Sequence, residues 1–160
     1  MIKLFVMDVD GTLTDGKIYM GNHGEVMKAF SIKDGYGIHD ELIPAGIIPA
    51  ILTGRESAIV ENRCRELGIT ELYQGISNKV EQLQQLIEKK DISYEEIAYI
   101  GDDLNDLSCM LKIKENGGII GCPFDADQLV KKISDYISPA KGGDGAVRDF
   151  IEYILCSNVQ

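Results

Sequence analysis

A chain of 160 residues, 44% of them hydrophobic, suits one domain around one core, so residues 1–160 are read as a single unit. Its net charge of -10 denies it the basic face that nucleic acid or an anionic membrane surface requires, and no apolar stretch reaches the length of a membrane span. With no leader-like N-terminal segment, and with Cys64, Cys109, Cys122 and Cys156 far apart and lacking a nearby His pair, the expectation is a cytoplasmic protein with free, mostly buried thiols and neither zinc nor disulfides.

The first apolar run, residues 3–8, reads as a buried strand that ends in Asp8-Val9-Asp10-Gly11-Thr12-Leu13-Thr14. Strand geometry puts residues i and i+2 on one face, roughly 6 to 7 Å apart, and Gly11 lets the chain turn away immediately afterwards. Two acids aimed at one small volume repel, and a divalent cation or metal-bound phosphate between them relieves that repulsion. The alternative is an Asx-type turn at the strand end.

Next comes a hairpin signature, residues 17–20, a turn at 21–24, and residues 25–32, so the insert covers about 16–32. Ile18, Tyr19, Met20, Val26, Met27 and Phe30 exceed the apolar content of a solvated ribbon, so the hairpin is covered either by a partner subunit or by its own domain. A second strand, residues 50–53, runs into Thr53-Gly54-Arg55. Residues 56–67 then carry Ile59, Val60, Cys64 and Leu67 at helical spacing, with Thr53-x-x-Glu56 as a possible capping box. Residues 79–90 form another helix, opened by Asn78-x-x-Glu81 and closed by Lys89-Lys90. Strands follow at 97–101 and 118–121, and a Gly-rich loop with a helix occupies about 141–155. This alternation implies an α/β fold, a doubly wound parallel sheet with helices on both faces and ligands at the C-terminal strand ends.

Three further polar groups fall at such ends: Thr53-Gly54-Arg55, Lys79, and Gly101-Asp102-Asp103-Leu104-Asn105-Asp106. Each alone reads equally as a cap or a solvated charge. A response-regulator receiver also unites acids, a Thr and a Lys, but it needs an Asp where the strand at 50–53 ends in Thr53.

In order and spacing the chain resembles the haloacid dehalogenase superfamily of phosphohydrolases, whose four motifs match Asp8-Val9-Asp10-Gly11-Thr12, Leu52-Thr53-Gly54, Lys79 and Gly101-Asp102-Asp103-x-x-Asp106. The resemblance implies that Asp8 attacks phosphorus to form an aspartyl phosphate while Asp10 serves as acid and then base. It implies Mg2+ on Asp8, the Asp10 carbonyl and Asp102, with Thr53, Gly54 and Lys79 on the phosphoryl oxygens and Asn105 on the phosphate side. Asp103 is expected to orient Lys79 or a metal-bound water, and Asp106 to sit behind the same site.

The gaps between motifs leave no room for a cap domain, so closure must come from elsewhere, the hairpin of a neighbouring subunit being the economical source. Capless chains of this kind resemble the 3-deoxy-D-manno-octulosonate 8-phosphate phosphatases, which are tetramers. Residues 33–38, 53–57, 60–69, 72–75 and 142–148 carry that match. The resemblance extends to phosphatases of nonulosonate (sialic acid type) 9-phosphates and to a non-catalytic oligomerisation domain of acylneuraminate cytidylyltransferases. For the sugar acid, Arg55, Arg63 and Arg148 are the fork-shaped candidates, with Arg63 equally placed to pair with a helical neighbour. Asp34 reads as a holder of a sugar hydroxyl or as a turn cap. Gly142-Gly143-Asp144-Gly145 reads as an anion-binding nest or as a lid hinge.

Overall fold

The computed structural model describes residues 1–157. In chain order its elements are β1 (Leu4–Met7), β2 (Tyr19–Gly21), β3 (Gly24–Met27), α1 (Ile32–Tyr36, continued by a π-helical turn over Gly37–Leu42) and β4 (Ile48–Leu52). There follow α2 (Ala58–Leu67), β5 (Glu71–Tyr73), α3 (Lys79–Lys90), β6 (Ile97–Ile100), α4 (Leu107–Glu115), β7 (Ile119–Cys122), α5 (Gln128–Ile133), β8 (Tyr136–Ile137) and α6 (Ala146–Ser157).

Six strands form one sheet in the order β5-β4-β1-β6-β7-β8, and every pairing in it is parallel. Side chains alternate across the buried β1: Phe5 and Met7 pack with Val60, Leu67 and Phe150 from α2 and α6, whereas Leu4 and Val6 pack with Leu83, Met110 and Val130 from α3, α4 and α5. Both faces are thereby covered, as a doubly wound sheet requires. The chain reverses its direction of growth between β1 and β6, and the loops after those two strands open the crevice where such sheets bind ligands.

α3 spans the expected residues, and the Asn78 side chain accepts the Glu81 N–H at 3.2 Å to cap it. The capping box expected from Thr53 and Glu56 does not form, because Thr53 finishes the sheet: its N–H donates to the Tyr73 carbonyl and its carbonyl accepts from Ile76. Ser57 occupies the N-cap position instead, and α2 starts at Ala58. The hairpin's second strand stops at Met27, after which Ser31 caps α1 with its side chain. Asp34 therefore lies in a helix rather than a turn, and Gly37 belongs there for packing, since a Cβ on it would come within 2.7 Å of Arg148 Cδ.

Among the described residues there is no cap domain, and the hairpin stands as its own two-stranded sheet with Met20, Val26 and Met27 64%, 62% and 51% exposed. Phe30, by contrast, is partly buried against the core, and Tyr19 is half-buried. The C-terminal glycine loop is a fitted seat rather than a hinge. Gly143 donates to the Thr12 carbonyl at 3.0 Å, Gly142 donates to Asp125 Oδ1 at 2.9 Å, and a Cβ on Gly142 would overlap the Gly11 carbonyl. Cys64, Cys109 and Cys122 are buried, Cys156 is exposed, and all four are free. Among the described residues no helix is long and apolar enough to cross a membrane.

Candidate active site

Asp8 stands at the mouth of β1, and its N–H still bonds the Ile100 carbonyl of β6 at 3.2 Å. The chain then winds tightly, with the N–H groups of Thr12, Leu13 and Thr14 all directed at the Val9 carbonyl. Gly11 is required in that turn, for its φ is +96° and a Cβ there would overlap the Asp102 carboxylate. Thr12 Oγ1 donates to Asp102 Oδ1 at 2.9 Å, so the loops after β1 and β6 are fastened to each other.

Lys79, the first residue of α3, is buried with Nζ 3.1 Å from Asp8 Oδ1 and 2.8 Å from Asp106 Oδ1. Asp106 is fully buried and accepts four bonds: that one, the Tyr99 hydroxyl at 2.7 Å, and the N–H groups of Asp102 and Asp103 at 3.1 and 3.3 Å. Desolvation and the charge of Asp106 raise Asp8 to about 7 against the opposing pull of Lys79. Asp102 is pushed up to about 8 by desolvation and by the charges of Asp8 and Asp106. Burial opposes the charge on Lys79, but the two carboxylates outweigh it and its ammonium is held above the ordinary lysine range.

Asp8, Asp10, Thr53, Gly54, Arg55, Asp103 and Asn105 line one cleft at the C-terminal edge of the sheet. Asp106 and Lys79 support it from beneath. Asp103 does not hold Lys79: its side chain accepts the Leu104 N–H at 2.7 Å and caps the turn Leu104–Asp106, and that turn delivers Asp106 to the lysine.

Three expected substrate contacts lie outside the cleft. Asp34, buried among α1, α2 and α6, accepts the Arg148 N–H at 2.9 Å, with the N–H groups of Gly145 and Val147 also directed at it. It thus occupies the start of α6, where the glycine loop was expected to cradle an anion, and desolvation raises it to about 6 despite those donors. Arg63 pairs with Glu66 at 2.8 Å and lies over the Phe30 ring, the helical pairing rather than the ligand contact. Arg148 is held by Glu41 and Glu152 and lies over Tyr36.

One pair of site residues escaped the sequence reading. Lys28, just past β3, has a side chain 1% exposed and reaches Asp10 Oδ1 at 2.6 Å and Glu25 Oε1 at 2.8 Å. The base of the chain's own hairpin therefore abuts its own cleft. A lysine in an alternating ribbon looks solvated in sequence, and only the half-buried carboxylate 18 residues earlier distinguishes this one.

Asp8, Asp102 and Asp106 bring carboxylate oxygens within 4.8 Å of one another. Asp106 is committed to Lys79, Tyr99 and two amides, which leaves Asp8 and Asp102 as a hard oxygen pair suited to Mg2+. Because both acids are raised above their unfolded values, the metal-free fold binds extra protons between about pH 4 and pH 8 and loses stability as pH rises through that window. Cation binding needs the ionised pair, so added Mg2+ is expected to raise Tm more at about pH 8 than at about pH 6. Melting curves with and without Mg2+ test this, and equal increments at both pH values would contradict it.

Residues 66–151 match the family model described as haloacid dehalogenase-like hydrolase. The chain is 47% identical over 154 residues to the 3-deoxy-D-manno-octulosonate 8-phosphate phosphatase KdsC of Escherichia coli, covering 96% of this chain and 79% of that protein. Among solved structures it resembles the Moraxella catarrhalis 3-deoxy-D-manno-octulosonate 8-phosphate phosphatase in complex with magnesium ion, phosphate ion and KDO, at TM-score 0.90 and 44% identity over 98% of this chain and 87% of that one. The cobalt-bound deoxy-D-mannose-octulosonate 8-phosphate phosphatase of Haemophilus influenzae aligns at TM-score 0.91 and 35% identity, over 99% and 90% of the two chains.

Proposed function

This chain belongs to the 3-deoxy-D-manno-octulosonate 8-phosphate phosphatase family of haloacid dehalogenase-like hydrolases, and from that premise we propose that its cleft hydrolyses a keto-sugar-acid phosphate, the octulosonate 8-phosphate, through an aspartyl phosphate. The observation that carries the proposal is the convergence of the ends of β1, β4 and β6 on one cleft, with Asp8 3.1 Å from Lys79 at the start of α3.

Ionised Asp8 attacks phosphorus as the bond from phosphorus to the sugar oxygen breaks, and protonated Asp10 gives its proton to the departing alkoxide. Asp10, now ionised, takes a proton from water as that water attacks the aspartyl phosphate, releasing inorganic phosphate and regenerating Asp8. The Thr53 hydroxyl, Gly54 N–H and Lys79 ammonium hold the phosphoryl oxygens, with Asn105 at the same rim. Asp8, Asp102 and the Asp10 carbonyl would hold Mg2+, which would supply neutralisation of the phosphoryl charge. Arg55, exposed at the cleft edge, takes the substrate carboxylate or a hydroxyl.

Assembly as a homotetramer is part of the reading, supported by the exposed face of Met20, Val26 and Met27 on the hairpin. Free thiols support a cytoplasmic setting. Phosphate release with Mg2+ is the test: kcat/KM for octulosonate 8-phosphate exceeds that for nonulosonate 9-phosphates by about tenfold or more. The reverse ranking assigns the nine-carbon substrate, and release from neither substrate, the expectation for a non-catalytic oligomerisation domain, overturns the proposal. Light scattering checks the assembly, which a monomer contradicts.

A further inference from the structure

We infer that Lys28 is a positioning residue for Asp10, and that the linked groups Asp10, Lys28, Glu25 and Ser57 make the chain's own hairpin a working part of its site. The inference rests on the phosphatase reading. Its physical basis is the burial of a hairpin charge: the Lys28 side chain is 1% exposed, donates to Asp10 Oδ1 at 2.6 Å and is ion-paired with Glu25 Oε1 at 2.8 Å. Glu25 continues the path through Oε2, which accepts the Ser57 hydroxyl at 2.8 Å, and the Ser57 N–H donates to Gln74 Oε1 at 2.9 Å. Four segments are joined by this path: the loop after β1, the hairpin, the entry to α2 and the end of β5.

The hairpin's polarity is inverted relative to a ribbon that merely needs anchoring. Met20, Val26 and Met27 face outward, while Glu25 and Lys28 point at the cleft. A buried ammonium requires a carboxylate partner, and Glu25 already supplies one. The second bond goes to the one acid in the cleft whose direction decides proton delivery. A charge-assisted bond to Oδ1 fixes the Asp10 carboxyl plane and leaves Oδ2 unengaged by the lysine.

Leaving-group dependence separates this role from a purely structural one. The constant kcat/KM contains only steps through phosphoryl transfer to Asp8, where Asp10 acts as acid. A sugar alkoxide needs that proton, whereas p-nitrophenolate leaves with little help. Lys28→Met is expected to lower kcat/KM for octulosonate 8-phosphate by about ten- to a hundredfold, a part of the roughly 10²–10⁴-fold that a positioned acid contributes, and for p-nitrophenyl phosphate by less than about threefold. Lys28→Arg, which keeps a donor to both carboxylates, is expected to recover most of the sugar phosphate activity. Glu25→Gln, which keeps Lys28 on Asp10 but loosens the hairpin, is expected to act mainly on KM. Equal losses on both substrates, or none, with Lys28→Met overturn the inference, and if that variant does not fold, Lys28→Gln, which also removes the ammonium from Asp10, is compared on the two substrates in its place with the same outcomes. Wild-type protein that releases phosphate from neither substrate overturns the phosphatase reading instead.

Discussion

Replacing Asp8 with Asn is expected to lower phosphate release by about 10⁴-fold or more while the protein remains folded. A carboxamide keeps the shape of the side chain but has no anionic oxygen with which to form the acyl phosphate. Its effect on the fold runs the other way. Asp8 is a buried acid whose charge is disfavoured by desolvation and by Asp106, so the neutral amide removes a repulsion. Lys79 keeps its 2.8 Å partner Asp106, which prevents the substitution from stranding a buried ammonium. Thermal unfolding without metal should therefore show a variant as stable as the parent or more so, and Mg2+ should protect it less. Full turnover by the variant with Mg2+ would refute Asp8 as nucleophile.

Asp106→Ala is expected to have the opposite profile, losing about 3–5 kcal/mol of stability together with most activity. Its carboxylate, itself fully buried, accepts from Lys79, the Tyr99 hydroxyl and two backbone amides. Alanine leaves those donors unsatisfied and frees the turn that carries Asp102 and Asp103. Lys79 would then have Asp8 alone as partner, an ammonium neutralising the nucleophile instead of holding phosphate. Urea denaturation measures the stability loss, and a variant within about 1 kcal/mol of the parent would deny Asp106 this central place. Asp106→Asn keeps one acceptor oxygen and is expected to fall between the two.

Asp106 also illustrates how far the sequence could be read. The motif with Asp102 and Asp103 was visible from spacing, yet Asp103 was the expected orienter of Lys79 or of a metal-bound water. Asp106 takes the lysine instead, because Asp103 opens a short turn whose third residue, Asp106, is folded back toward Lys79. Strands and helices with clear periodicity, such as β1, β6 and α3, were legible, since local burial patterns determine them. Asp34 was not, because its partner at Arg148 lies 114 residues away and an acid before glycines looks like a turn. Thr53 resembled a cap for a comparable reason: a hydroxyl three residues before a Glu reads alike at a helix start and at a sheet edge. Lys28 was hidden by its setting, since in an exposed ribbon a lysine is ordinarily solvated.

The bond from the Asp8 N–H to the Ile100 carbonyl has a dynamic consequence. The backbone of the proposed nucleophile belongs to the central ladder, so its amide proton should exchange with solvent only when the whole sheet opens, at the slowest rates in the molecule. The attacking carboxylate is then a fixed point about which substrate and hairpin adjust. Variation in rate among related chains would arise in the parts that can open separately, and the hairpin, a two-stranded ribbon outside the sheet, is the first of these.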